Sequence, residues 1–187
     1  MKRNAGFTLV ELLTVIGVIA VLSAISFGIA AGVYQRQART KAAAELSALA
    51  SSLEAYRAEH GSYPIATGAS WEENAETLYQ ALTGQTDPNG DSFRDSNGSE
   101  TTKRALVDVS KFELESPENG NTFASDNKFL DPWGNPYVYQ YNNDSSSWNR
   151  FGFVLFSRGQ DGDLTNPSSG IVDKAANGNP DNIYLNE

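Results

Sequence analysis

Cysteine is absent from the 187 residues, and histidine occurs once, as His60. Without thiols, no disulfide or thiolate-metal framework holds the fold, so stability must come from packing or from an oxygen-ligated metal. The single histidine sits at the expected end of a long helix, and neither a Ser/His/Asp arrangement nor a His/Cys metal cluster can be assembled from the rest. No phosphate-cradling glycine loop is present either, and the chain reads as non-enzymatic. Basic residues are also scarce: 14 Lys and Arg face 23 Asp and Glu, for a net charge of −9. Nucleic-acid binders normally carry a basic patch or stripe, so nucleic acid is not an expected partner. Proline is missing from the whole interval Phe7 to His60, although the chain has 7 prolines elsewhere.

What is present begins with a short basic leader, Met1-Lys2-Arg3-Asn4-Ala5-Gly6. Behind it, Phe7-Thr8-Leu9-Val10-Glu11 sets one carboxylate into an apolar run that continues uncharged from Leu12 to Val33. At about 1.5 Å per residue that run is roughly 33 Å long, enough to cross a hydrocarbon core. A carboxylate beside such a core costs several kcal/mol, so Glu11 needs a partner, and a newly exposed amino terminus is the natural one. The small residue Gly6 precedes the apolar core instead of following it, unlike a conventional signal peptide. Cutting after Gly6 therefore leaves the helix attached and takes the net charge from −9 to −11 by removing Lys2 and Arg3. Those two cations hold their end on the cytoplasmic side and send the remainder outward.

The segment Gly6-Phe7-Thr8-Leu9-Val10-Glu11-Leu12 resembles the processing site of type IV pilins and type II secretion pseudopilins. The resemblance implies cleavage after Gly6 by prepilin peptidase and N-methylation of Phe7. It also implies that Glu11 meets the terminal amine of a neighbouring subunit during assembly. Two charges that are each costly in lipid neutralise one another when they pair.

Past the span, Ala42, Leu46, Leu49, Leu53 and Tyr56 recur at steps of four and three, the stripe of a helix with one face on a core. Gly61 and Pro64 end it, so one helix is expected from about Phe7 to His60. Trp71 to Leu82 reads as a second, short helix. The interval from Asp87-Pro88-Asn89-Gly90-Asp91 to Asn97-Gly98 reads as an exposed loop, and Leu106 to Leu114 as a short strand or irregular cover. In Asp131-Pro132-Trp133-Gly134-Asn135-Pro136-Tyr137, two prolines and a glycine fix a turn in which Trp133 is expected to pack. Alternation over Tyr137 to Tyr141 and over Phe151 to Ser157 predicts an antiparallel hairpin. Its aromatic face is expected to lie on the Leu46 to Tyr56 stripe. Trp148 and the tyrosines, if exposed, offer stacking surfaces for a sugar, but buried hairpin aromatics are the default for them.

The turn at Asp131 to Tyr137, the aromatic strand and Ser157-Arg158-Gly159-Gln160-Asp161-Gly162 resemble the C-terminal signature of the major pseudopilin (GspG-like) group. That group holds a calcium ion in this loop. Carried over, the ligands are the Ser157 hydroxyl, the Arg158 carbonyl and the carboxylates of Asp161 and Asp181, with Asn182 or Asp173 as other alignments for the last. Oxygen donors without histidine or cysteine suit calcium rather than zinc or copper.

The expectation is an α+β, pilin-like chain: a cleaved leader over 1–6, a transmembrane and assembly helix over 7–33, and an external domain over 34–187. That domain comprises an amphipathic helix 34–60, a variable region 61–130 and a sheet with a calcium loop over 131–187. The function expected is that of a type II secretion pseudopilus subunit in the bacterial inner membrane, its domain in the periplasm or on an extracellular filament. Its partners would be prepilin peptidase, neighbouring copies in a homopolymer, minor pseudopilins or pilins, and the inner-membrane assembly platform. A surface type IV pilus subunit and a membrane-tethered carbohydrate-binding module are the alternatives.

Overall fold

Helix α1 runs Leu9–His60, and its residues explain why it continues so far. Ala, Leu, Glu and Arg dominate its second half, and no proline interrupts it. It stops where Gly61 takes a positive φ of 82°, with the Gly61 N–H on the Arg57 carbonyl at 2.8 Å. The computed structural model describes residues 8–68, 70–115, 126–144, 146–148, 150, 152–163, 170–174 and 181–185, without the side chains of 25–31. The chain divides into two compact units, Met1–Ala38 and Arg39–Glu187.

In the first unit the described apolar side chains of α1 are uncovered. Leu9, Val10, Leu12, Leu13, Val15, Ile16, Val18, Ile19, Val21 and Leu22 are all exposed. Among the described residues, no helix is long and apolar enough to cross a membrane. The expected span takes in 25–31, whose side chains lie outside the described residues.

The second unit is an α+β arrangement of the pilin-like kind. Helix α2, Trp71–Leu82, is capped by Ser70, whose hydroxyl accepts the Glu73 N–H at 3.2 Å. Strands β1, Glu113–Leu114, and β2, Phe129–Leu130, form an antiparallel pair. Strands β3, Val138–Gln140, β4, Val154–Ser157, and β5, Ile183–Tyr184, form an antiparallel sheet in that order. The β3–β4 register sets Tyr139 opposite Leu155. The predicted hairpin is therefore present, but its first strand is shorter than the alternation suggested. The Tyr137 N–H donates to the Phe129 carbonyl, and Tyr141 bridges to Ala66. Phe151 lies outside the described residues.

The period-two alternation sorts the hairpin into two cores. Tyr137, Tyr139 and Leu155 pack with Leu46, Leu49, Leu53 and Tyr56 of α1. Val138, Val154 and Phe156 face the other way and pack with Trp148. Trp148 is buried at 8% exposure, in keeping with the default of a buried hairpin aromatic rather than a sugar-stacking surface, with its Nε1–H on the Gly152 carbonyl at 2.9 Å. Two apolar sheet faces need two covers, and the indole provides the second. Trp133 packs at the edge of the larger core, as expected. Between α1 and the sheet, the Tyr137 hydroxyl donates to Glu45 Oε2 at 2.6 Å and the Tyr139 hydroxyl to the Pro64 carbonyl at 2.8 Å.

Candidate functional site

Two places carry the functional residues, one in each unit. At the amino-terminal end, Gly6 and Phe7 lie outside the described residues. Glu11 is in the first turn of α1, preceded by Thr8. Glu11 Oε2 accepts the Thr8 N–H at 2.8 Å and the Thr8 hydroxyl at 2.9 Å, while the Thr8 oxygen accepts the Glu11 N–H at 3.3 Å. This is a capping box, in which Thr and Glu three residues apart satisfy each other's helix-end donors. Thr8 thus joins Glu11 as a positioning residue. Its signal, Thr-x-x-Glu before an apolar run, was legible in the sequence and escaped the reading of Glu11 as an isolated charge. Both Thr8 bonds fall on Oε2, and among the described residues Oε1 has no donor. Glu11 is exposed, and a donor can reach it from outside the chain.

In the second unit the turn after β4 closes on the turn before β3. The Ser157 hydroxyl donates to Asp131 Oδ2 at 2.6 Å, and Ser157 Oγ accepts the Gly159 N–H at 3.1 Å. Asp131 Oδ1 accepts the N–H groups of Trp133 at 3.0 Å and Asn135 at 2.9 Å. Asn135 Nδ2 returns to the Gly159 carbonyl at 3.0 Å. Asp131 is fully buried, and burial raises its carboxyl above the ordinary value despite these donors. Glu45 is raised for the same reason, opposed by the Tyr137 hydroxyl and by Lys41.

Asp181 comes to the same loop from the far end of the chain. Its Oδ2 accepts the N–H groups of Gln160 at 2.9 Å and Asp161 at 3.2 Å. Gly159 has φ of 69°, and a Cβ there would stand 2.5 Å from the Asp181 carbonyl oxygen, so only glycine fits this approach. Asp181 Oδ1 is buried and accepts no hydrogen bond.

The four expected metal ligands are thus unevenly placed. Asp181 and Asp161 meet at the loop. The Ser157 hydroxyl is directed to Asp131; the Arg158 donor expected is the backbone carbonyl, and the guanidinium of that residue, 4.1 Å over the Trp71 ring, does not bear on it. Asp161 Oδ1 accepts the Asp163 N–H at 2.9 Å. Among the described residues no group of three or more His, Cys, Asp or Glu is arranged to hold a metal. The buried Asp181 Oδ1, without a hydrogen bond among the described residues, fits a cation there, since a buried carboxylate oxygen is costly without a partner. Asp131, the hub of the arrangement, was visible in the sequence only as part of a turn.

Residues 1–27 match the family model of the prokaryotic N-terminal methylation motif. No curated protein matches the chain significantly. The motif supports a type IV pilin-like or pseudopilin precursor of the kind that prepilin peptidase processes.

Proposed function

We propose that the chain is a subunit of a type II secretion pseudopilus, cut after Gly6 and polymerised through the helix that begins at Phe7. The observation that carries this reading is the methylation motif over residues 1–27, joined to a Glu11 whose Oε1 has no donor among the described residues. In this reading residues 7–33 anchor the subunit in the inner membrane before assembly. The amine freed on Phe7 of one copy meets Glu11 of the next, and the apolar side chains from Leu9 to Leu22 exchange lipid for neighbouring helices. Head-to-tail contacts of this sort do not close, which is the condition for an open helical polymer. The role is structural, and the acidic head stays outside.

The resemblance of the Asp131 to Asp161 segment to the major pseudopilin favours secretion over a surface pilus. Calcium belongs to the same reading. Asp161 and Asp181 would hold it, and its bound charge would tie the loop after β4 to the chain near β5.

Deleting the gene in the cells that carry it tests the assignment. The expected result is that proteins normally released to the medium accumulate inside the envelope while surface filaments persist. Unchanged secretion with loss of surface filaments would overturn it in favour of a type IV pilus subunit.

A further inference from the structure

Between α2 and the short helical turn Val109–Lys111, the chain forms an arm built from the same turn used twice. Asp87 Oδ1 accepts the N–H groups of Asn89 at 2.8 Å and Asp91 at 3.0 Å, and Thr86 bridges to Ser92. Eight residues on, Asp95 Oδ1 accepts the N–H groups of Asn97 at 2.8 Å and Ser99 at 2.9 Å, and Arg94 bridges to Glu100. Each turn carries Asn-Gly at its tip, with Gly90 at φ 88° and Gly98 at φ 80°. They differ after the first aspartate, Pro88 against Ser96, and after the glycine, where Asp91 stands in the first and Ser99 in the second.

The second of these differences changes the chemistry on offer. Asn97-Gly98-Ser99 has the Asn-x-Ser spacing of an N-glycosylation acceptor, and Asn89-Gly90-Asp91 does not. An acidic residue, Asp95, stands two positions before the acceptor. The turn presents the group well. Asp95 accepts through its side chain and carbonyl, the Ser99 carbonyl accepts the Asp95 N–H and the Gly98 carbonyl accepts from Arg94, so among these bonds the Asn97 carboxamide takes no part in holding the turn. Every residue from Asp95 to Glu100 is exposed, and nothing lies within 4 Å of where a Gly98 Cβ would stand. Opening this tip to fit an enzyme uncovers no core. By contrast, Asn74 and Asn127 are buried at 5% and 0% exposure. A further such tripeptide, Asn143-Asp144-Ser145, ends on a residue outside the described ones.

The geometry points to Asn97 as an N-glycosylation site, with a polyprenyl-diphosphate-linked saccharide as the donor. The Asn97 Nδ2 attacks the anomeric carbon, the bond from that carbon to the diphosphate oxygen breaks, and a carbon–nitrogen bond forms. The amide gives up one proton, and the lipid diphosphate leaves. The inference rests on the proposed function, because such donors are used where the head is exported.

Peptide mapping by mass spectrometry of the full chain, purified from the cells that carry it, tests the site. The Asn97 peptide is expected to carry a sugar mass, and the Asn89 peptide to be bare. Ser99→Ala should remove the modification completely while leaving the circular dichroism spectrum unchanged. A bare Asn97 peptide, or a sugar that persists in Ser99→Ala, overturns the proposal. The amino-terminal peptide in the same digest separates the two ideas. If it begins at methylated Phe7 while Asn97 is bare, the glycan alone has failed; if it begins at Met1, the processing has failed with it.

Discussion

Glu11 shows how one side chain can serve two ends. Its Oε2 closes the capping box with Thr8, and among the described residues its Oε1 meets no donor. Glu11→Ala is therefore expected to leave cleavage after Gly6 largely intact and to reduce filament yield severalfold, read by electron microscopy of cells overproducing the chain. Normal yield would remove the pairing with the Phe7 amine. Glu11→Gln keeps the shape while removing the charge, and should fail in the same way. At Ser157 the expectation concerns stability. Ser157→Ala strips the donor from Asp131 Oδ2 and the acceptor from the Gly159 N–H, both buried. Leaving such groups unpaired costs roughly 1–3 kcal/mol, measurable by urea unfolding of the chain in mild detergent.

Glu45 and Asp131 add a pH dependence with a definite sign. Burial raises both carboxyls, so the folded chain takes up these protons more readily than the unfolded one. Their contribution is fully present below the ordinary carboxylate values and is lost as pH rises through the raised ones. Melting temperature should accordingly be higher in mild acid than at neutral pH. Glu45→Gln should shrink that difference, and an unchanged pH profile would show that Glu45 does not titrate with folding.

Among the elements, α1 and α2 were legible because a strong periodic signal ran to a clear stop. Ala42, Leu46, Leu49, Leu53 and Tyr56 are all fully buried, so the stripe read from spacing is the stripe that packs. Leu49→Ala should cost roughly 2–5 kcal/mol, since the surrounding aromatic side chains cannot collapse into the space. The hairpin was legible in kind and in the facing of Leu155 and Val154, but not in length. Tyr137 and Tyr141 fit the alternation, yet their backbone partners are Phe129 and Ala66, contacts distant in sequence that no local pattern announces. For Trp148 the sequence allows both a buried hairpin aromatic, the default, and a sugar-stacking surface; the far face of the sheet, which needs cover, decides for burial. The arm from Thr86 to Glu100 looked like plain loop because Asp, Asn and Gly fill turns of every geometry. Its order comes from Asp87 and Asp95 capping their own chains.

At the scale of the whole molecule, the sequence divides into an apolar stretch of α1 and an acidic α+β head. The candidate site was legible at the amino-terminal end, where Gly6, Phe7 and Glu11 form a local pattern. It was only partly legible at the carboxyl-terminal end, where Asp181 must cross some twenty residues to reach Gln160 and Asp161. If calcium neutralises Asp181 there, the full chain in detergent should melt several degrees higher with millimolar calcium than with chelator, by the stabilisation any native-state ligand gives. Identical midpoints would leave Asp181 Oδ1 as a buried oxygen without that partner.

The bond between Glu45 and Tyr137 also bears on how the head takes a load. Along α1 toward its carboxyl end, Ala42 and Glu45 are the first buried side chains of the head, with Leu46 next. A pull on the helix from its amino-terminal side therefore strains this end of the core first. Glu45 passes that strain through a 2.6 Å hydrogen bond to a tyrosine 92 residues further along the chain, at the start of the sheet. Tyr137 leads directly into β3, and the turn before it is bonded to the loop after β4, so a load entering through Glu45 would be shared between the two turns at the edge of the sheet.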